Sequence, residues 1–567
     1  MNFTLRQPSF LKKVPIELSF GTSGLRGLVA DMTDLECYIN TKAFIEYLIG
    51  INDISRGSTI CIAGDLRQST ARITAAVTAA IEDSGCKSDN CGFIPTPALA
   101  YYAIQKGQAS IMVTGSHIPE DRNGIKLYKH GGEILKADEV GIVAEVARAR
   151  REEYARSVDE TLFDESGMFK QPRRMGSVNE EAKKAYIYRY LDVLPFDYFS
   201  DKTIIVYQHS AVGRDILAYV LESLGAEVIP VKRSNDFVAI DTENVTTADR
   251  ELFKDLPDKY KRRDLFTIVS TDGDSDRPLI ADENGELYRG DVIGIMACQY
   301  LNAQFAAVPI SANDSVAIQL KRDGVMLRYT KIGSPYVIEA MNEAIVQGKS
   351  SVVSWEVNGG FLTGTDFLIN GNTLKALPTR DAFLPILCAL AQAAERNIPI
   401  SQLFNELPQR YTEAGVLDNF PQESGQQIMK YFLPPEESRI QQISFVAGAI
   451  DVTDFADMTR VLDSEDPIFK TLSSKKAELE HYFNSELSFD NIVGINYVDG
   501  MRITFANGDI AHIRPSGNAP QFRVFSNANS QGRANEIVRL CIAEPVGIVR
   551  QMKESMIEAD ITNVKII

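Results

Sequence analysis

Three stretches of this chain repeat one local grammar, and that repetition constrains the fold more than any other feature. Residues 59–87 (TICIAGDLRQSTARITAAVTAAIEDSGCK) read as an apolar strand, a polar turn and an amphipathic helix that ends at a Gly. Residues 203–231 (TIIVYQHSAVGRDILAYVLESLGAEVIPV) do the same, with a Gly before a β-branched strand. Residues 306–333 (AAVPISANDSVAIQLKRDGVMLRYTKIG) repeat the pattern with a shorter helix. Such units predict parallel strands joined by right-handed crossovers. They lie far apart in the chain, so they predict three α/β domains of related design.

The length agrees: 567 residues, at roughly 150 per domain, make three or four domains. With 44% hydrophobic and 24% charged residues the chain can bury several cores, and global disorder is excluded. A fourth region follows the Pro-rich passage at 405–440. It ends in VDGMRITFANGDIAHIRPSG, which alternates like a hairpin about Asn507-Gly508 and predicts an α+β domain. Residues 147–157 read as a helix leading to a linker, or as a solvated helix face within the first domain. The expected boundaries are 1–170, 171–304, 305–415 and 416–567. The stretch around 440–490 looks inserted, and the sequence suggests no role for it.

Asp and Glu total 76 against 59 Lys and Arg, a formal charge of −17. An acidic surface repels a phosphate backbone, which argues against nucleic acid as a partner. An anionic substrate then requires cations concentrated in one place. Seven scattered cysteines make no disulfide framework and no zinc pattern. The N-terminus lacks a signal-like apolar run and no stretch approaches 18 apolar residues, so the expectation is a cytoplasmic protein with no membrane partner.

Three segments carry chemistry. VTGSHIPEDRNGIKLY (113–128) puts Ser116 and His117 on a Gly-containing turn after a strand, with Lys126 beyond. Such a serine is placed like a nucleophile, its hydroxyl out of the core, with His117 and Lys126 able to tune it or to neutralise a phosphate. DLFTIVSTDGDSDRPLI (264–280) alternates Asp272, Asp274 and Asp276 after an apolar strand. Three carboxylates on one short loop repel unless a cation sits among them, and an all-oxygen set suits Mg²⁺. A calcium loop is excluded because Arg277 stands where Gly is required. HIRPSGNAPQFRVFSNA (512–528) offers Arg514, Ser516, Gly517, Asn518 and Arg523, groups that match a tetrahedral dianion. FGTSGLRG (20–27) adds Arg26, and SWEVNGGFLTG (354–364) adds Glu356 and Asn358, of the kind that read sugar hydroxyls.

In this order and spacing, the five stretches resemble the α-D-phosphohexomutase family across nearly the whole chain. The resemblance implies four domains around a central cleft, three related α/β domains with mixed sheets plus the C-terminal α+β domain. It implies that Ser116 is phosphorylated in the resting enzyme and that Asp272, Asp274 and Asp276 hold Mg²⁺ together with it. Arg277 would lie beside the phosphoryl group. Arg26 and Lys126 would surround the serine, with Lys126 or His117 moving the proton. Lys331 and Gly333 (RYTKIGSP), with Glu356 and Asn358, would bind the sugar. Arg514, Ser516, Gly517, Asn518 and Arg523 would bind phosphate. The implied activity interconverts hexose 6-phosphate and hexose 1-phosphate through a bound hexose 1,6-bisphosphate, in a monomer or homodimer. Mannose phosphates are the first expectation, glucose or glucosamine phosphates the alternatives.

The chain departs from the family at three loops. WEVNGG replaces the usual GEMSGH, so Gly360 stands at the terminal His; Asn518-Ala519 replaces Thr-Glu; Ile118 replaces Asn. These changes raise a second reading, a non-catalytic sugar-phosphate-binding protein. Retention of Ser116 with all three aspartates favours the enzyme. A DxD-type glycosyltransferase leaves the TGSH and RPSG segments unexplained.

Overall fold

The structure is a computed structural model. It describes residues 10–21, 24–260, 265–455, 457–517 and 519–564, and of residues 437 and 557–564 the backbone alone. The chain divides into two compact units: Met1–Val308, Leu320–Arg328 and Gly333–Glu406 form one, and Pro309–Gln319, Tyr329–Ile332 and Leu407–Ile567 the other.

Each predicted repeat folds as read. Strand Thr59–Gly64 leads into helix Thr70–Asp83 and strand Lys87–Phe93, strand Thr203–His209 into helix Arg214–Ser223 and strand Glu227–Arg233, and strand Phe305–Pro309 into helix Asp314–Asp323 and strand Met326–Thr330. Gly85, Gly225 and Gly324 follow the helices at φ of +74°, +97° and +70°, left-handed positions that terminate a helix without steric cost.

The sheets are mixed. Beside the first strand of each repeat runs a further parallel strand, which then reverses into an antiparallel neighbour. In the seven-stranded sheet, Ala109–Val113 pairs parallel to Thr59–Gly64 and antiparallel to Arg122–Lys129. In the four-stranded sheet, Leu265–Thr271 pairs parallel to Thr203–His209 and antiparallel to Pro278–Ala281. In the five-stranded sheet, Val352–Trp355 pairs parallel to Phe305–Pro309 and antiparallel to Phe361–Thr363. The loops at 114–121, 272–277 and 356–360 are therefore the same structural position in three related sheets, just past the carboxyl end of a parallel strand, where α/β sheets present their ligand sites.

Strands Ala109–Val113, Leu265–Thr271 and Val352–Trp355 are buried along their whole length, as parallel strands inside a sheet are. Ile60, Ile62, Ile111 and Val113 pack with Phe44, Ile73 and Val77 under the first sheet, each buried side chain contributing roughly 1.5–3 kcal/mol. Helix Lys136–Tyr154 contains most of residues 147–157 and is bound into the first unit: Arg150 pairs with the fully buried Glu36, and Lys42 bonds Glu153 at 3.0 Å. Of the two readings of 147–157, the helix is seen, and it is packed rather than solvated along this face. All seven cysteines are free and buried.

The second unit is built on an eight-stranded antiparallel sheet that takes in Tyr411–Leu417 and runs from it to Thr459–Leu462. Met501–Phe505 and Ile510–Pro515 form the expected hairpin, with Gly508 at φ +84°. The 440–490 stretch supplies strands Ile440–Val446, Ala449–Asp454 and Thr459–Leu462 and helix Pro467–Tyr482, so it extends the sheet. Leu472 and Leu479 of that helix are buried in the same core as Ile443, Val452 and Ile503.

Candidate active site

The serine loop is held by a residue the sequence reading passed over as part of a polar turn. Arg67, buried and 3.2 Å from Asp65, donates to four carbonyls of the loop: Ser116 (3.1 Å), Ile118 (2.6 Å), Pro119 (2.8 Å) and Arg122 (3.0 Å). Its guanidinium also stacks 3.8 Å from the Phe237 ring centroid. Asp65 accepts hydroxyls from Thr70 and Thr114, both at 2.7 Å, and Thr114 Oγ1 in turn accepts the Ser116 N–H at 2.8 Å. A side chain at Gly115 would put Cβ 2.6 Å from Arg67 Cζ, so the Gly is required by the guanidinium beneath it.

These contacts hold Ser116 at φ +54°, an uncommon conformation for a non-Gly residue. The hydroxyl is 1% exposed, not lifted clear as the sequence suggested. It donates to Asp272 Oδ2 at 2.6 Å and lies 3.3 Å from His117 Nδ1. Burial, and then the Arg277 charge, push His117 down to about 3. It is therefore neutral near pH 7, so of the two expected roles the tuning of the serine fits it and the neutralising of a phosphate does not.

The three aspartates converge: one carboxylate oxygen from each lies within 4.8 Å of the others, all buried. Lys126 Nζ bonds Asp274 Oδ2 at 2.6 Å and Asp276 Oδ2 at 2.5 Å. Thr96 Oγ1 donates to Asp274 Oδ2 at 2.5 Å, and Asp272 Oδ1 accepts the N–H groups of Asp276 and Arg277 at 3.1 and 3.2 Å. Asp274 Oδ1 and Asp276 Oδ1 are left buried without a hydrogen-bond partner. Two orphaned carboxylate oxygens on one loop are the donors a hard divalent cation would take up, so the triad fits such an ion.

The electrostatics split the triad. Burial, with Asp274 and Asp276 beside it, raises Asp272 well above the usual carboxylate range. Burial also opposes charge on Asp276, but Arg380, Lys126 and Arg277 outweigh it and hold that carboxyl below its ordinary range. Asp274 is likewise lowered, Lys126 overcoming burial and the Asp276 charge. The same pairing raises Lys126 against its burial, so it stays an ammonium. Arg277 Nε lies 3.9 Å from Asp272 and 3.7 Å from Asp276. Arg26 is lowered by burial and by the Arg277 and Arg380 charges, a cation in want of an anion.

Arg380 is the second residue missed. It is 2% exposed, bonds Asp276 Oδ2 through Nε at 3.1 Å and Nη2 at 3.0 Å, and donates from Nη1 to Glu356 Oε2 at 2.9 Å. It sits one residue before the end of the strand Leu377–Asp381 (LPTRD), whose mixed polar sequence offers no signal that would single it out. Asn358 Oδ1 accepts the Gly360 N–H at 3.0 Å and its carbonyl accepts the Thr242 hydroxyl at 2.9 Å. Gly333, at φ +129°, caps helix Ser334–Val346.

In the second unit, Arg514 and Arg523 face each other in register across two antiparallel strands. Arg514 Nη1 bonds Asp499 Oδ2 at 2.8 Å, and the same carboxylate oxygen accepts the Ile332 N–H, next to Lys331, at 3.1 Å. Arg523 Nε is buried with no hydrogen-bond partner. The Ser516 N–H bonds the Gln521 carbonyl at 2.9 Å, which closes the loop, and Gly517 has open space where a side chain would be. Asn518 lies outside the described residues, as do Thr22 and Ser23 of the FGTSGLRG loop.

A serine beside a buried carboxylate triad and several cations, on three matching sheets, defines a site for phosphoryl chemistry. Three stretches match phosphoglucomutase/phosphomannomutase alpha/beta/alpha domains: domain I over 17–153, domain II over 189–285 and domain III over 289–411. The chain belongs to this family, the α-D-phosphohexomutases, and is a phosphohexomutase enzyme. It is 36% identical to a protein named phosphomannomutase from Sinorhizobium fredii, over 92% of this chain and 97% of that one. It is also 36% identical to a phosphomannomutase from Salmonella muenchen, over 93% of this chain and 95% of that one. A solved phosphoglucomutase/phosphomannomutase family protein from Burkholderia thailandensis shares the fold, with a TM-score of 0.63 and 17% identity over 93% of this chain and 97% of that chain. No helix among the described residues is long and apolar enough to cross a membrane.

Proposed function

We propose that the enzyme is a phosphomannomutase, interconverting mannose 6-phosphate and mannose 1-phosphate through a phosphorylated Ser116. The observation that carries this reading is the Ser116 Oγ bond to Asp272 at 2.6 Å, beside carboxylates whose Asp274 Oδ1 and Asp276 Oδ1 atoms have no hydrogen-bond partner. The sugar follows the two relatives named phosphomannomutase. The four-part division at 1–170, 171–304, 305–415 and 416–567 belongs to the same reading.

Asp272, Asp274 and Asp276, with an oxygen of the phosphorylated Ser116, would hold Mg²⁺, which offsets negative charge on the phosphoryl group. In the exchange, the P–Oγ bond of the phosphoserine breaks and a P–O bond to the free sugar hydroxyl forms. The hydroxyl proton ends on Ser116 Oγ, and the product is a hexose 1,6-bisphosphate. That intermediate turns over and returns its other phosphate by the reverse steps. Such transfers are catalysed mostly by positioning and charge. Arg26 and Arg277 receive the phosphoryl oxygens; a dianion beside Arg26 offsets the burial and repulsion that now disfavour its charge. Lys126, kept an ammonium by two carboxylates, donates to the site. His117, neutral and 3.3 Å from Oγ, and Lys126 are the two groups beside the serine through which the proton moves.

Lys331, Gly333, Glu356 and Asn358 read the sugar. Arg514, Ser516, Gly517, Asn518 and Arg523 hold the phosphate that is not reacting. Two arginines opposite each other in register repel unless an anion lies between them. The enzyme works on hexose phosphates as a cytoplasmic monomer or homodimer. The test is a coupled assay with Mg²⁺ and catalytic hexose 1,6-bisphosphate, comparing mannose, glucose and glucosamine 1-phosphates. Turnover with mannose 1-phosphate well above the others is expected. Equal or greater turnover with another sugar would reassign the substrate, and none with any would overturn the reading.

A further inference from the structure

Gly360 stands where the resembling loops carry a side chain, and the space it leaves is filled. A Cβ built on Gly360 would lie 2.6 Å from Arg380 Cδ and Cγ and 2.9 Å from its Cβ. The Arg380 stem therefore passes directly over this Gly, and no side chain at 360 can coexist with it unmoved. From there the guanidinium forks. Nε and Nη2 take Asp276 Oδ2, and Nη1 takes Glu356 Oε2. Lys126 also takes Asp276 Oδ2, at 2.5 Å. Both cations bond the same oxygen, which leaves the buried Oδ1 without a hydrogen-bond partner and with Arg277 Nε 3.7 Å from it.

We propose that Arg380 is a positioning residue that ties the aspartate loop to the Glu356 loop, presenting Asp276 Oδ1 to the divalent cation and fixing Glu356 for the sugar, with Gly360 as the residue that admits it. This rests on the reading of the triad and of the Glu356 loop given above. Arginine suits the task because a planar fork can serve two carboxylates at fixed angles, which a lysine ammonium cannot. Arg380 is held from the other side as well: its neighbour Asp381 accepts the Tyr186 hydroxyl at 2.7 Å and the Tyr190 hydroxyl at 2.5 Å. Groups that orient a ligand of a metal, without touching it, tune affinity and activity.

The experiment compares wild type with Arg380→Lys, Arg380→Met and Gly360→Ala, reading Mn²⁺ affinity by electron paramagnetic resonance, kcat and KM separately, and thermal midpoint. Arg380→Lys keeps the charge but reaches one carboxylate. Gly360→Ala keeps the guanidinium but displaces it. Both are expected to fold, to weaken Mn²⁺ binding by about 10- to 100-fold and to raise the KM for sugar phosphate. Should Arg380→Met fail to fold, the other two variants decide. Wild-type Mn²⁺ affinity and KM in folded Arg380→Lys and Gly360→Ala, whatever their thermal midpoints, would overturn the proposal. A wild type that turns over no hexose phosphate, while these variants still lose Mn²⁺ affinity, would overturn the mutase reading and leave the role of Arg380 standing.

Discussion

Ser116 Oγ donates to Asp272 Oδ2 at 2.6 Å across 156 positions of sequence. The bond joins the loop after strand Ala109–Val113 to the loop after strand Leu265–Thr271, the corresponding positions of two related sheets. Each loop alone is a common polar turn. Together they place a hydroxyl against a buried carboxylate.

Ser116→Ala is expected to lower kcat by on the order of 10⁴-fold or more, since removing a nucleophile removes the covalent route. Its thermal midpoint should stay within a few degrees of wild type. Intact mass after incubation with hexose 1,6-bisphosphate should show phosphate on wild type and none on the variant. Undiminished turnover would refute the assigned nucleophile.

Chelation tests the triad. Treatment with EDTA should abolish turnover and Mg²⁺ should restore it. In Asp274→Asn, which removes a charge from a carboxylate whose Oδ1 is unpartnered, restoration should require far higher Mg²⁺. Calorimetric titration with Mn²⁺ checks the affinity directly. An Asp274→Asn enzyme with wild-type affinity would exclude Asp274 from the ion's ligands.

Arg67→Met should destabilise the protein by about 3–5 kcal/mol, because it strands the buried Asp65 charge and releases four loop carbonyls at once. Urea unfolding followed by circular dichroism measures this. Arg67→Lys should retain the ion pair yet lose activity, since one ammonium cannot serve the Ser116, Ile118, Pro119 and Arg122 carbonyls together. A fully active Arg67→Lys would show that the serine loop does not depend on the fork.

The buried histidines set a pH dependence of stability. Burial pushes His512 down to about 3, and its Nε2 bonds the Asp499 carbonyl at 2.6 Å. With the folded value below the unfolded value of 6.5, the unfolded chain binds more protons between them. Stability is thus complete above about 6.5 and falls as pH drops toward 3, by on the order of 2 kcal/mol at pH 5. His209, pushed down to about 4, adds to the same loss. His512→Gln should flatten the fall between pH 6.5 and 5; an unchanged slope in urea midpoints would remove His512 as a cause.

What the chain determined by itself was local. The alternation of apolar strand, polar turn and amphipathic helix set three α/β units, because strand and helix periods are written in adjacent residues. Gly85, Gly225 and Gly324 ended the helices because φ between +70° and +97° suits no other residue as well. The serine, the three aspartates and the two cationic loops were visible because each motif is contiguous.

Tertiary structure decided which distant groups meet. Arg67 reads as one cation in a polar turn, yet it binds carbonyls 49 to 55 residues away. Arg380 lies in the polar stretch LPTRD, yet it joins Asp276, 104 residues off, to Glu356, 24 residues off. His117 reads equally as a group that tunes the serine or one that neutralises a phosphate, and burial and Arg277 leave it neutral. No spacing rule encodes these outcomes. They arise from packing, which brings low-dielectric surroundings and opposite charges together only after the sheets have formed, and which then selects the oxygens of Asp274 and Asp276 that accept no hydrogen bond.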